Sequence, residues 1–395
     1  MYLTKDEERI LEGDLGPGAQ LAMRVLVKLG DIFGAERLIP VASAHVSGVS
    51  YKTAGDAAIE FLKELEEMGA RTSVLATTNP CGFDERLRTI LELPEEVVEA
   101  QEELLSLYEA IGLKRTLTCV PYYELRPESA SHLAWAESSA VIYANSVIGA
   151  RTNREGAPSA LAAAIIGKTP DYGLHRPENR TPGLKIKVDF RPGDELELWA
   201  LGFLAGELSK GAIPLLEGLG ELSDWELKGL GAAMASGGMT AMFYTSASYR
   251  KARPESRKEG LELVEIGRAD LNDVIERLSS PEEPDLIFVG CPHCSEEELR
   301  LLASLLRGRR ARPDRLFLIC TSRYLRDANP SLISAIEASG ALVVVDTCMV
   351  VSWVERLGID VVATNSPKAA YYLPGLSGVE VRLANLRECV ELACS

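Results

Sequence analysis

Residues 286–295, LIFVGCPHCS, carry an apolar strand straight into Cys291, His293, Cys294 and Ser295. A polar turn, PEEPD, precedes this run, and EEELRLLASLLRG, with helical apolar spacing, follows it. A strand that delivers cysteines to the start of a helix constrains both topology and chemistry. The pattern recurs twice: TLTC ends at Cys119 ahead of PYYE, and ALVVVDTC ends at Cys348 ahead of MVVSW. Three cysteines at the ends of distant β-rich runs could meet in one cleft, as a metal or iron–sulfur site requires.

The rest of the chain follows the same grammar. ERLIPVA predicts a strand, SAHVSGVSYKT a polar turn and AGDAAIEFLKELEEMG a helix. RTSVLATT, NPCGFDERLR and PEEVVEAQEELLSLYEAIG repeat the strand, loop and helix, and KRTLTC with PYYELRPESASH adds a third strand and loop. Such alternation predicts an α/β fold of βαβ units with mainly parallel sheets, and ligands beyond the carboxyl ends of the strands. By that rule 45–52, 79–81 and 119–123 share one rim. Helices at 4–12, with Thr4 and Glu7 at capping-box spacing, and at 17–34 come first. Residues 132–173 predict a helix, an arginine-bearing turn and a small-residue helix. The Pro- and Arg-rich segment 176–185 reads as a linker. Residues 186–275 read as irregular α/β structure whose one pointed feature is a close-approach turn at Gly237–Gly238. Strands resume at 285–290, 315–322, 341–346 and 359–364. The expected units are 1–184, 185–279 and 280–395.

Charge and cysteine content narrow the function. With 42 basic against 58 acidic residues, a net charge of −16 argues against a general nucleic-acid or anionic-membrane binder. No apolar run approaches the roughly 18 residues of a membrane helix, and the N-terminus lacks an apolar signal core, so a soluble, cytoplasmic protein is expected. Eight cysteines in 395 residues are too sparse for a disulfide scaffold. Cys320 reads as a buried strand residue, and Cys389 and Cys394 as bystanders in a final helix.

Several groups carry chemistry, each with a plainer reading beside it. Cys291-Pro-His-Cys294 is a C-x-x-C motif, which at a helix start lowers a thiol pKa and supports disulfide exchange. Zinc would need a second ligand pair that the chain lacks. Three distant cysteines suit a cluster with one iron left open, a Lewis acid for a hydroxyl. Gly48, between Ser47 and Ser50, marks a turn whose free amides would bind carboxylate or phosphate, or merely cap a helix. Asn79-Pro80 offers an amide on a rigid turn. Lys368 opens a helix, where a cation needs an offsetting anion and hints at an anionic ligand. Glu137 and Ser138, on a helix among small residues, would transfer protons, orient a hydroxyl or face solvent. Arg151 and Arg154 would bind an acidic ligand or hold a turn. His45 and His293 read as supporting groups.

Seven blocks in order, SAHVSGVSYKT, TTNPCG, LTCVPYY, AWAESSAVIYANSVIGARTNREG, VGCPH with its following SEE, VDTCMV and NSPKAAYYLP, resemble the large subunit of aconitase X. The resemblance runs over most of the chain, with 186–275 the least diagnostic part. It implies an aconitase-like multidomain architecture with the active site at the domain cleft. It implies Cys119, Cys291 and Cys348 as ligands of an iron–sulfur cluster, a [4Fe–4S] cluster with one open iron, and gives Cys294 no such role. Gly48, Val49, Ser50, Asn79, Pro80, Glu137, Ser138 and Lys368 match substrate-contacting positions, with Glu137, Ser138 and Lys368 as catalytic candidates. The implied reaction is dehydration of (R)-5-phosphomevalonate to trans-anhydromevalonate 5-phosphate in the archaeal mevalonate pathway of isoprenoid biosynthesis. The implied partner is a small swivelling-domain subunit bearing a catalytic serine, without which this chain is inactive. Alternatives are dehydration of another hydroxy acid such as cis-3-hydroxyproline, a thiol–disulfide oxidoreductase using Cys291 and Cys294, and a non-catalytic iron–sulfur scaffold.

Overall fold

The computed structural model describes residues 1–252 and 260–394. The N-terminal helix Lys5–Glu12 is capped as its sequence predicts: the Thr4 amide donates to the Glu7 carboxylate at 2.8 Å and the Thr4 hydroxyl accepts from the Glu7 amide. The first sheet is parallel and three-stranded, in the order Leu75–Thr78, Ser43–Val46, Leu133–Trp135. Its central strand lies in the segment expected to be a polar turn. His45 there is fully buried between Ala44 and Val46, and its Nδ1 meets the Thr77 hydroxyl at 2.8 Å, so a polar residue serves a core strand.

ERLIPVA supplies only Leu38–Pro40, paired antiparallel with Lys168–Pro170. KRTLTC makes a single bridge, Lys114 to Thr77, instead of a strand. Leu117 sits at φ +46°, and the Thr116 hydroxyl takes the Thr78 amide, removing the partners a ladder needs. Leu133–Trp135, expected in a helix, forms the strand on the opposite edge, beside Ser43–Val46, and the helix Ser138–Tyr143 starts only after Glu137, its N-cap.

The second sheet is more regular than its sequence suggests. Four parallel strands run in the order Tyr244–Thr245, Pro214–Glu217, Leu184–Val188, Glu262–Ile266. Helices Glu195–Ser209 and Asp224–Gly238 are so uniformly apolar and small that no 3.6-residue stripe stands out. They pack backbone to backbone: a Cβ on Gly238 would lie 1.8 Å from the Gly206 carbonyl oxygen. The close approach expected at Gly237–Gly238 is therefore a helix crossing, not a turn. The segment read as a linker is pinned through Arg180, whose guanidinium donates to Asn145 Oδ1 and to the carbonyls of Asn145, Ala150 and Leu174.

The third sheet has five parallel strands in the order Leu342–Val344, Leu316–Thr321, Leu286–Cys294, Val361–Thr364, Glu380–Leu383, the last unforeseen in the sequence. Leu286 and Phe288 face one core while Ile287 and Val289 face another, so both sides of the sheet are covered. The central strand continues through Cys294 instead of stopping at 290, with a register shift between Val289 and Cys294. Gly290, at φ +106°, is the hinge of that shift; a Cβ there would lie 2.2 Å from the Cys320 carbonyl oxygen.

Loops of the first and third sheets join along a hydrogen-bonded seam. The Cys81 amide donates to the Asp346 carbonyl at 2.8 Å, the Thr347 hydroxyl donates to the Cys81 carbonyl at 2.9 Å, and the Val345 amide donates to the Asp84 carboxylate at 3.2 Å. Gly82 lies so close under Trp353 that a Cβ would meet the indole at 2.3 Å. Among the described residues no helix is long and apolar enough to cross a membrane.

Candidate functional site

In the third sheet the chain runs outward from the central strand through Leu316–Thr321 to Leu342–Val344, then crosses back to Val361–Thr364 on the central strand's other side. That reversal opens a crevice at the carboxyl ends of the strands. Cys291 stands on the central strand beside it. Val361–Thr364 leads into Ser366, the N-cap of helix Pro367–Ser377, and the Ser366 hydroxyl donates to the Cys291 carbonyl at 2.5 Å. Cys348 opens the turn Met349–Val351. Cys119 arrives from the first sheet's side, and its sulfur accepts the His293 amide at 3.2 Å. The three thiols line one cavity of about 220 Å³ together with Asn79, Pro80, Glu137, Ser138, Arg154 and Lys368.

A buried ion pair faces the thiols. Lys368 Nζ lies 2.6 Å from Glu137 Oε1, 3.1 Å from the Ser139 hydroxyl and 3.4 Å from that of Ser138. Glu137 also accepts from Asn79 Nδ2 at 2.9 Å and from the Ser139 hydroxyl at 2.6 Å. Burial alone would raise the Glu137 pKa, but the Lys368 charge and these hydrogen bonds outweigh it and hold the carboxylate ionised well below the usual range. Burial would likewise lower Lys368, and Glu137 reverses that. The anion needed beside a lysine at a helix start is thus Glu137 itself, and Glu137 is the N-cap of Ser138–Tyr143, not a residue within a helix.

The other expected residues fall at graded distances. Gly48 (φ +77°), Val49 and Ser50 do not line the cavity, but the Ser50 hydroxyl donates at 2.7 Å to the carbonyl of Val351, which does. Ser50 caps helix Tyr51–Glu67 without a side-chain bond. Arg154 lines the cavity and donates to the Ala235 carbonyl at 3.1 Å; Arg151 instead donates to the His175 carbonyl. His45 reaches Asn79 Oδ1 at 3.4 Å and is held neutral by burial, its pKa pushed down to about 4. His293, read as a supporting group, spans the cysteine segments: its ring contacts the Thr118 hydroxyl at 3.0 Å and the Thr347 carbonyl at 2.9 Å. Ser139 and Ser366 escaped the sequence reading, although Ser366 begins a recognisable S-P-x-A cap.

The disulfide-exchange reading fails here. Cys291 packs with one face of the third sheet and Cys294 with the other. Ser295, not Cys294, caps the following helix, and burial pushes both thiols up. Burial also raises Cys119 and takes Cys348 up to about 12. Among the described residues no group of three or more His, Cys, Asp or Glu side chains is placed to hold a single metal ion. Three cysteine thiols lining one cavity, with Lys368 among them, are a donor set of the kind an iron–sulfur cluster takes.

Family models described as the first, second and third domains of aconitase X match residues 1–178, 182–276 and 284–395. A phosphomevalonate dehydratase large subunit from Methanothermobacter thermautotrophicus is 43% identical over 96% of each chain. A cis-3-hydroxy-L-proline dehydratase from Pseudomonas aeruginosa is 34% identical over 98% of this chain and 69% of its own. A solved structure of Thermococcus kodakaraensis aconitase X in its holo-form superposes with a TM-score of 0.92 at 40% identity, each chain covered in full.

Proposed function

The chain belongs to the aconitase X family, and from that premise we propose that it is the large subunit of a hydro-lyase dehydrating (R)-5-phosphomevalonate to trans-anhydromevalonate 5-phosphate. The observation that carries the reading is the convergence of three cysteine thiols and the Lys368–Glu137 pair on one cavity. The higher identity to a phosphomevalonate dehydratase large subunit than to a hydroxyproline dehydratase favours the phosphorylated substrate. On the strength of its three parallel sheets we read the chain as three units, 1–184, 185–279 and 280–395, and the enzyme as cytoplasmic.

Cys119, Cys291 and Cys348 would hold the iron–sulfur cluster, a [4Fe–4S] form with one iron free of protein ligands, which supplies a Lewis acid for the leaving hydroxyl. Within the cavity, Glu137 and Lys368 cancel in charge, and Arg154 adds a cation for an acidic substrate. Lys368 presents its ammonium to the substrate carboxylate while Glu137 fixes its position. The Ser138 hydroxyl and the Asn79 amide orient polar groups on either side of the pair. The Gly48–Ser50 turn reaches the cavity only through the Ser50 hydroxyl's bond to the Val351 carbonyl, and the Tyr51 amide after it is taken by Gln101 Oε1 at 2.9 Å, so its part is to hold the cavity wall. A carboxylate held ionised so far below the usual range is too weak a base to take the proton beside the substrate carboxylate, so that proton would go to a base outside this chain, a serine on the swivelling small subunit.

The test is an anaerobic assay of the chain purified with its small subunit, with iron and sulfide measured alongside. Dehydration of 5-phosphomevalonate with about four irons, lost in Cys119→Ala, Cys291→Ala or Cys348→Ala, is the expected result. A cluster without that activity would redirect the substrate to other hydroxy acids, and a protein taking up no iron would reject the three-cysteine site.

A further inference from the structure

A second buried ion pair, neither of whose residues lines the cavity, lies against the segment that follows Cys291. Lys228, in helix Asp224–Gly238 over the second sheet, has a fully buried side chain paired with Glu298. Its Nζ also donates to the His293 carbonyl at 2.9 Å and approaches the Pro292 carbonyl at 3.4 Å. Glu298 belongs to the helix after Cys294 and accepts the Ser295 amide at 2.7 Å. Both partners therefore grip the short segment 292–295.

That segment is the junction of the three-cysteine site. The peptide between Pro292 and His293 has its carbonyl toward Lys228 and its N–H on Cys119 Sγ at 3.2 Å. The His293 ring touches Thr118 and Thr347, the residues preceding Cys119 and Cys348, and Cys291 is two residues away in the same strand. A cation at one end of a peptide strengthens the hydrogen bond given at the other, and hydrogen bonds to ligand sulfurs tune a cluster.

We propose that Lys228 is a positioning residue for the cluster: through the Pro292–His293 peptide it aims an N–H at Cys119 and places a positive charge near the thiolates, so that the second sheet's helix governs how firmly the cluster is held. The inference rests on the cofactor reading above. It assigns Lys228 no contact with substrate.

The test uses the chain with its small subunit, loaded anaerobically, and compares wild type, Lys228→Met, Lys228→Arg and the double variant Lys228→Met/Glu298→Gln. Readouts are the rate of iron loss to a chelator, the cluster's reduction potential, and urea unfolding of the iron-free chain. Lys228→Met should release iron about tenfold faster or more and lower the potential, and Lys228→Arg should recover most of both. Removing both charges should restore much of the iron-free stability, since no unpaired buried charge remains, yet leave iron loss fast, because the donor to the 292–293 carbonyls is still missing. Wild-type iron retention in the double variant would overturn the proposal, reducing the pair to a fold contact. Loaded wild type and Lys228→Met behaving alike would overturn it as well. A wild type that takes up no iron would overturn the cofactor reading and this inference with it.

Discussion

Replacing Lys368 by Met isolates what the ion pair contributes. The substitution removes the ammonium 2.6 Å from Glu137 and leaves the carboxylate with Asn79 and Ser139 as its hydrogen-bond donors, both side chains of the pair being about 11% exposed. Breaking one half of a buried pair costs about 3–5 kcal/mol, and the surviving donors place the cost near the lower end. The pH dependence distinguishes this from lost packing. In the wild type the Glu137 pKa lies below its unfolded value, so its contribution is present above about pH 4.3 and is lost only as pH falls through the lower folded value. Without Lys368, burial dominates and the folded pKa rises above the unfolded one, so the variant is least stable near neutral pH and recovers as Glu137 takes up a proton. Urea unfolding of the iron-free chain at about pH 7.5 and about pH 5 should show the deficit shrinking by roughly 1.4 kcal/mol for each unit of raised pKa traversed. Lys368→Met/Glu137→Gln should regain most of the loss near neutrality. A deficit that ignores pH, or a double variant no better than the single one, would refute the argument.

Other outcomes follow from the same geometry. Cys294→Ala should leave iron content and dehydration within about twofold while costing about 1 kcal/mol of stability, whereas Cys291→Ala should abolish iron binding. Gly206→Ala should lower urea stability by about 1–3 kcal/mol, because a Cβ at Gly206 would lie 2.3 Å from the Met234 carbonyl oxygen. His45 is held neutral down to about pH 4, so the unfolded chain binds a proton that the folded chain refuses. Stability should therefore fall between about pH 6.5 and 4 by up to about 1.4 kcal/mol per unit, and His45→Gln should flatten that slope in a denaturation series.

What the sequence shows and what it hides have physical reasons. Cys291, Cys348 and Lys368 were legible because each follows an apolar β-rich run, and strand ends in a parallel sheet converge without any knowledge of side-chain contacts. The first sheet was misjudged in register because His45 and Trp135 bury polar atoms by pairing them with Thr77 and Ser43, which local polarity does not reveal. KRTLTC has strand composition, yet the Thr116 hydroxyl, which accepts the Thr78 amide and donates to the Thr78 carbonyl, and the positive φ of Leu117 undo its ladder. Lys228 gives no signal at all: a lysine in a helix reads as exposed, whereas here it is buried against the Pro292 and His293 carbonyls and Glu298.

The seam between Cys81–Asp84 and Val345–Thr347 bears on how a substrate enters. Cys119 comes from the first sheet's side of this seam and Cys291 and Cys348 from the other, so parting the two would tear main-chain pairing and lift Gly82 from Trp353 as well as separate the sulfurs. Traffic in and out of the cavity therefore does not pass between these two walls. Of the lining residues Arg154 and Leu376 are the exposed ones, so the cavity meets solvent on their side, and a partner covering that face would leave the seam untouched.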